Sequence, residues 1–471
     1  MAGLVPATHF PESGQLLARL WKMDGRHEGG HDGFGWENAI KNIPRVPRDR
    51  PLACGVDIGA AIMTERVLPG SRMRPVFYIM LFLPMGITNG YAVVSLAYML
   101  SQAGVSVGAI AGLVGLSLLP QTWRAIWAPL VDATLSLRGW YLISAVTSGL
   151  LMAATAFVPI TRGNLGIFDV LCFGFSFTAT ITTIAGSSLM AHGTSDEEKG
   201  RAGGWSQAGN LGGTGLGGGL GLWLAQHAPL WTSGTALGVF CIATSLALLF
   251  LNEPTAEHRT KSLLGSLANV GRECWTLLTS RNGGLVFFLM LLPIGVGAAQ
   301  NLWSAVADDW HASADAVALV NGVLGGVVAM VDCLIGGWIC DLMDRKTAYS
   351  LFGIVIAVAT VLMALSPRTQ TMFVVYVLLY AFLTGFSYAG YAAVVFETIG
   401  KGAAGTKSNI LSGISNVPLI YAGFFDGWGH DRWGSNGLLY TDAALSVLGV
   451  MVFISVAFMV RMLASRTPAA A

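Results

Sequence analysis

The sequence predicts an all-α integral membrane protein with twelve transmembrane helices in two six-helix pseudo-symmetric halves. Three observations carry this. Only 11% of the 471 residues are charged, against about 25% in soluble domains, while apolar residues reach 54%. Twelve stretches of roughly 20 mainly apolar residues, the length that crosses a bilayer, follow residue 74. The later stretches echo the earlier ones at an offset of 209 residues, as from Pro84 to Pro293 and from Gly86 to Gly295.

In chain order, the spans of the first half are expected at 75–99, 105–128, 139–159, 166–190, 201–226 and 230–251. Those of the second half fall at 283–307, 314–340, 347–366, 371–396, 406–426 and 438–462. The domain organisation follows: an extension over 1–74, a half over 75–251, a polar cytoplasmic linker over 252–282, a half over 283–463 and a tail over 464–471. Residues 1–74 contain no signal-peptide apolar region and read as a flexible cytoplasmic extension.

Orientation comes from Lys and Arg in the short loops, because cytoplasmic loops carry the excess. With the N-terminus inside, sixteen fall on inner flanks, from Arg66 to Arg466, and the outer loops hold Arg162, Arg368 and Arg432. Both termini are therefore expected in the cytoplasm, and the protein in a bacterial inner membrane. The formal net charge is +1 with no long basic tract, which excludes an electrostatic footprint for nucleic acid. The six cysteines are scattered without C-x-x-C spacing and read as buried thiols.

Repeats matter because secondary transporters build a site at the membrane midplane from them. "FYIMLFLPMG" from Phe77 matches "VFFLMLLPIG" from Val286, the same offset carries Asp132 onto Asp341, and "GFS" at Gly174 recurs at Gly385. Asp132 and Arg138 thus fall in the turn between spans two and three, and Gly337, Asp341, Arg345 and Lys346 in its counterpart between spans eight and nine. A carboxylate there can pair with a base or a helix N-terminus in one conformation only, acting as a cytoplasmic gate. The alternative is a positive-inside anchor with a solvated aspartate.

"GWICDLMDRK" from Gly337 resembles the G-x-x-x-D-x-x-x-R-[KR] loop of the major facilitator superfamily. Within it, "WAPLVDA" followed by "RGW" resembles the signature of the muropeptide permease and acetyl-coenzyme A transporter family, as does "GAAGTKSNILSGIS" from Gly402. The resemblance implies a major facilitator fold and a permease working by alternating access, as a monomer, on a small or medium polar solute, with protons as a possible partner besides the bilayer. The chain departs from the pattern in span four, where "TATITTIAG" from Thr178 carries no carboxylate. A membrane assembly factor with the same fold and no transport is the alternative.

Polar residues inside the spans supply candidate sites. Arg124 lies eight residues before Asp132, about 12 Å along a helix, within the inner part of span two. An intramembrane charge should face protein or water, so its partner is an anionic solute group, a carboxylate, or the interface by snorkelling. Asp332 and Glu397 are the coupling candidates; an internal pair, for Glu397 with Lys401 at i+4, is the structural alternative. Because spans one and seven line the cavity in the superfamily, Asn89, Gln300 and Asn301 are solute-contact candidates, and Thr180, Thr183 and Tyr391 join them by analogy. Interhelical hydrogen bonding is the competing role for each.

Two further motifs carry no chemistry. "HEGGH" at His27–His31 matches a zinc-helix pattern, but its central glycines disfavour the helix, so no metal is expected. The run "GNLGGTGLGGGLG" lies inside span five rather than after a strand; Gly209, Gly213, Gly217 and Gly221, four residues apart, present a smooth face for helix packing. No P-loop, cofactor motif or clustered catalytic set is present, so the chain is not read as an enzyme and no cofactor is expected.

Overall fold

The computed structural model describes residues 77–193, 199–250, 263–399 except 326, 329–334, 337, 338 and 341, and 404–466, all within the unit Leu68–Ala471. Every regular element among them is helical. Seven helices are long and apolar enough to cross a membrane, and Val107–Thr122 and Asn282–Leu291 are shorter apolar helices. The HEGGH motif, Asp332, Gly337 and Asp341 lie outside the described residues.

Helix α1 covers Tyr78–Gln102. Pro84 removes one backbone donor, and a π segment at Tyr91–Leu96 widens the spiral. Helix α2, Val107–Thr122, begins where Ser106 accepts the Ala109 N–H at 3.2 Å. The helix expected to continue to 128 instead breaks at Trp123 (φ −99°, ψ 14°) and restarts as α3, Arg124–Ala133. Next come α4 (Leu137–Phe157), α5 (Leu165–Gly193), α6 (Lys199–Gly215, continuing through a π turn into Gly221–His227) and α7 (Trp231–Leu249). Ser136 caps α4 through the Gly139 N–H at 2.9 Å.

The segment expected as a plain polar linker folds into α8, Leu263–Thr279, with Leu264 and Trp275 exposed. Ser280 caps α9, Arg281–Leu291, through the Gly283 N–H at 3.1 Å.

The span expected over 283–307 is not a continuous helix. The α-helical bonds end at Leu291, and the chain runs irregularly through Gly295 (φ 57°) and Gly297 (φ 75°) before short 3-10 turns at Ala299–Leu302 and Ala307–Trp310. Pro293 has no N–H to give, and both glycines adopt a left-handed conformation that side-chain-bearing residues avoid. Backbone groups freed inside an apolar bundle need partners. The Gly295 N–H donates to Ser446 Oγ at 3.0 Å, and Tyr421 Oη donates to the Leu291 carbonyl at 2.7 Å.

Short α10, Ala314–Val317, passes into a π segment over Ala318–Leu324. Helices α11 (Arg345–Leu365, capped by Asp344), α12 (Gln370–Ile399), α13 (Ala404–Ile414) and α14 (Asn416–Arg466) complete the chain. Gly434 (φ 66°, ψ −160°) divides α14 into two arms that double back on each other. A Cβ added at Gly429 would meet Thr441 Oγ1 at 2.5 Å, whereas twelve residues of straight helix would separate them by about 18 Å.

Two packing interfaces position the candidate site. Within the first half, α6 lies directly on α1: Gly209, Gly213 and Gly217 face the carbonyls of Ile79, Leu83 and Ile87 in steps of four residues, and Gly221 faces Ser95. Ser95 Oγ donates to the Gly217 and Gly218 carbonyls at 2.8 and 3.0 Å. Between the halves, α2 packs along the first arm of α14, where Gly427 meets Gly108 and Ala111.

Candidate functional site

Arg124 starts α3 at the break after Trp123, half-buried rather than embedded in a continuous helix. Its Nη2 donates to Ser187 Oγ of α5 at 3.3 Å. From the second half Tyr391 of α12 comes close enough for its hydroxyl and the guanidinium to interact electrostatically. Tyr391 Oη in turn donates to Ser412 Oγ of α13 at 3.0 Å. No carboxylate pairs with Arg124 among the described residues, which leaves donors of a planar, permanently charged fork for another acceptor. The structure therefore brings Arg124 and Tyr391 together across the two halves.

Asn89 of α1 and Gln300 and Asn301 of the broken segment are each half-buried, and their side-chain amides make no hydrogen bond among the described residues. Such groups are available to a polar solute. Thr180 and Thr183 of α5 are buried and spend their hydroxyl hydrogens on their own helix, on the Ser176 and Ala179 carbonyls at 2.8 and 2.9 Å. They retain acceptor capacity only.

Of the coupling candidates, Glu397 sits near the end of α12. Of the loop residues, exposed Asp132 accepts from Ser188 Oγ of α5 at 3.1 Å. Arg138, in the first turn of α4, has its Nε buried with no hydrogen-bond partner among the described residues. Arg345 opens α11, and Lys346 Nζ donates to Asn282 Oδ1 of α9 at 2.5 Å.

At the end that loop charge assigns to the outside, contacts join the halves. Asp431 accepts the Gly108 N–H at 3.2 Å, Ser101 Oγ donates to the Ala305 carbonyl at 2.7 Å, and Gln102 Nε2 donates to Asp308 at 2.7 Å. Beside them His430 Nε2 lies 2.6 Å from Asp309, which also accepts from Ser435, and Arg368 stacks over Trp310 at 4.1 Å. Asp308 and Asp309 are both members of this network. Partial burial would raise the Asp309 carboxyl, but the hydrogen bonds from His430 and Ser435 and the charges of His430 and Arg368 hold it below the ordinary carboxylate value.

Sequence reasoning missed the most enclosed acids. Asp426 and Asp442 stand on the two arms of α14, 0% and 7% exposed. Tyr380 Oη of α12 donates to Asp442 at 3.2 and 3.3 Å, and Thr360 Oγ1 of α11 donates to it at 3.3 Å. Neither oxygen of Asp426 has a hydrogen-bond partner among the described residues. The available signal was two aspartates placed symmetrically about a glycine in "DGWGHDRWGSNGLLYTD", a short polar stretch between two apolar runs.

A bundle of long apolar helices, a broken helix in its second half and a half-buried cation electrostatically engaged with a tyrosine of the other half define a membrane carrier rather than an enzyme. Residues 76–422 match the family model of the Major Facilitator Superfamily, and the chain belongs to that family. It is 24% identical over 348 residues to the anhydromuropeptide permease of Escherichia coli (strain K12), covering 70% of this chain and 69% of the permease. Its fold is similar to that of the nucleoside transporter NupG (TM-score 0.64, 14% identity, 81% of this chain and 99% of that one). It is also similar to a bacterial homologue of the human lysosomal transporter Spinster in an inward-facing, unoccupied conformation (TM-score 0.62, 13% identity, 82% and 96%). The chain is a secondary transporter of that superfamily, and these relatives lend nothing to the reading of a non-transporting assembly factor.

Proposed function

We propose that this protein carries a small to medium polar solute with an anionic group across the cytoplasmic membrane, by rocking two six-span halves about a central cavity. The carrying observation is Arg124: a half-buried guanidinium at a helix break, hydrogen-bonded to Ser187 of one half, electrostatically engaged with Tyr391 of the other, and paired with no described carboxylate. A carboxylate or phosphate on the solute would complete its fork of donors. Asn89, Gln300 and Asn301 supply neutral polar contacts, with Thr180 and Thr183 as acceptors and Tyr391 as the residue shared between halves.

The remaining topology follows the same reading. Twelve spans, with both termini in the cytoplasm, place Asp132, Arg138, Gly337, Asp341, Arg345 and Lys346 at the cytoplasmic gate, and the Asp431, Ser101 and Gln102 contacts at the opposite, closed end. The protein works as a monomer in a bacterial inner membrane and is coupled to protons. Similarity to the anhydromuropeptide permease makes sugar-peptide fragments of the cell wall the first solutes to try.

The test is thermal-shift screening of the detergent-purified protein against muropeptides, acyl-coenzyme A compounds and siderophores, because a ligand that binds only the native state raises its stability by about 2.7 kcal/mol at a hundred times its dissociation constant. A stabilising compound whose effect disappears in Arg124→Ala supports the reading. A stabilising compound indifferent to Arg124→Ala, or stabilisation by neutral compounds alone, overturns the anionic site.

A further inference from the structure

The transport reading uses neither Asp426 nor Asp442, yet they are among the most enclosed ionisable groups described. Gly434 reverses α14 midway between them, eight residues from each, and the glycine contacts of Gly429 with Gly437 and Thr441 hold the two arms close. The arms therefore set the two carboxylates opposite one another, near enough for their charges to interact.

Their surroundings differ. Asp442 receives Tyr380 and Thr360, with the Ala299 amide of the broken segment close by, a donor set that suits a carboxylate anion. Asp426, fully enclosed, receives no donor among the described residues. An ionised carboxylate without solvent, cation or hydrogen bond is prohibitively unfavourable, and two like charges in one apolar pocket compound the penalty. Among the described residues, the groups facing the pair from packed elements are Thr360 of α11, Tyr380 of α12, and Ala299 and Trp303 of the broken segment, with Trp303 stacked edge-on against Tyr380 at 5.3 Å. Gly108 and Ala111 of α2 border them at Gly427. None is cationic. The nearest basic side chain along the same arm, His430, is engaged with Asp309.

We infer that Asp426 and Asp442 form a proton-binding site in the second half, holding one exchangeable proton between them, with Asp426 the protonated member and Asp442 the hydrogen-bonded anion. The site is placed to sense the movement of the halves. Gly427, next to Asp426, abuts Gly108, and Asp431, just over one turn later, accepts the Gly108 N–H. Parting α2 from α14 frees the arm that carries Asp426 and so opens the acid pair to proton exchange; closing the interface requires the proton to be bound. Calling this proton the coupling ion rests on the transport reading, whereas its presence and exchange do not.

The test is infrared spectroscopy of the full chain in nanodiscs, titrated from about pH 4 to 10. Expected is one carboxylic-acid carbonyl band that shifts in deuterated buffer and disappears as pH rises. Asp426→Asn removes the band at neutral pH. Asp442→Asn keeps a band but moves its titration to lower pH, because the like charge is gone. Tyr380→Phe moves it to higher pH, because the anion loses a donor, and carries the test if an aspartate variant does not fold. The inference is overturned by the absence of any band sensitive to Asp426→Asn, by a band that neither exchanges nor titrates, or by an unshifted titration in Tyr380→Phe. None of these outcomes depends on a transported solute, so failure of the proton site and failure of the transport reading are separately visible.

Discussion

Asp431 accepts the Gly108 backbone N–H with both carboxylate oxygens at 3.2 Å, tying the hairpin of the second half to the first turn of α2 in the first. A carboxylate at a helix N-terminus is favourable by roughly 0.3–1 kcal/mol at exposed sites, through the unsatisfied N–H groups and the helix dipole. Because the contact crosses between halves, it contributes to their closure. Replacing Asp431 by Ala is expected to loosen this end by about 1 kcal/mol, roughly a fivefold shift toward the open form. Labelling of a cysteine at Gln102 by a membrane-impermeant maleimide would rise accordingly; an unchanged rate would remove Asp431 from the closing contacts.

The glycine face of α6 makes a second prediction. Gly213 faces the Leu83 carbonyl, and a Cβ there would sit 2.5 Å from that oxygen, so Gly213→Val must force α1 and α6 apart. Overpacking of this kind costs typically 1–3 kcal/mol and would lower the melting temperature. Gly212, one residue earlier, has nothing within 4 Å of an added Cβ. Gly212→Ala should leave melting unchanged or raise stability by up to about 1 kcal/mol through helix propensity. Equal losses in both variants would contradict the packing account.

The Asp309 carboxylate gives a dependence on pH. Its native pKa lies below the ordinary value, so it binds protons less readily when folded, and its contribution is present above that value and lost as pH falls below it. The melting difference between the native protein and Asp309→Asn should therefore shrink as pH falls below about 4. The difference should stay under about 1 kcal/mol, since a partly exposed pair is screened by solvent. Growth of the difference below about pH 4 would reverse the assignment.

Much of this was legible in the residues. Apolar runs placed the long helices because bilayer-spanning segments have a composition that little else imitates. The four-residue glycine spacing named the packed face of α6, since only one register puts those positions in line. Arg124 stood out as a charge in an apolar run. Three features were hidden. The helix over 283–307 reads as continuous because its apolar composition outweighs Pro293, Gly295 and Gly297 in any window average. The break at Trp123 has no proline or glycine at the breakpoint to announce it. Asp426 and Asp442 stand sixteen residues apart in sequence, and only the reversal at Gly434 makes them an enclosed pair.

Arg124 separates two kinds of recognition. If the guanidinium binds an anionic group through two parallel hydrogen bonds, Arg124→Lys keeps the charge but loses the geometry, and ligand affinity should fall by about tenfold or more. Full retention in the lysine variant would mean that charge alone is read. Isothermal titration with the stabilising compound distinguishes them.

The central claim is that the two halves move against each other about a fixed site. Spin labels at Gln102→Cys and Asp308→Cys, whose native side chains touch at 2.7 Å across the halves, report that motion most directly by pulsed electron resonance in nanodiscs. Alternating access predicts two distance populations, one short and one longer, whose ratio changes with pH or with a stabilising solute. A single short distance under every condition would contradict it.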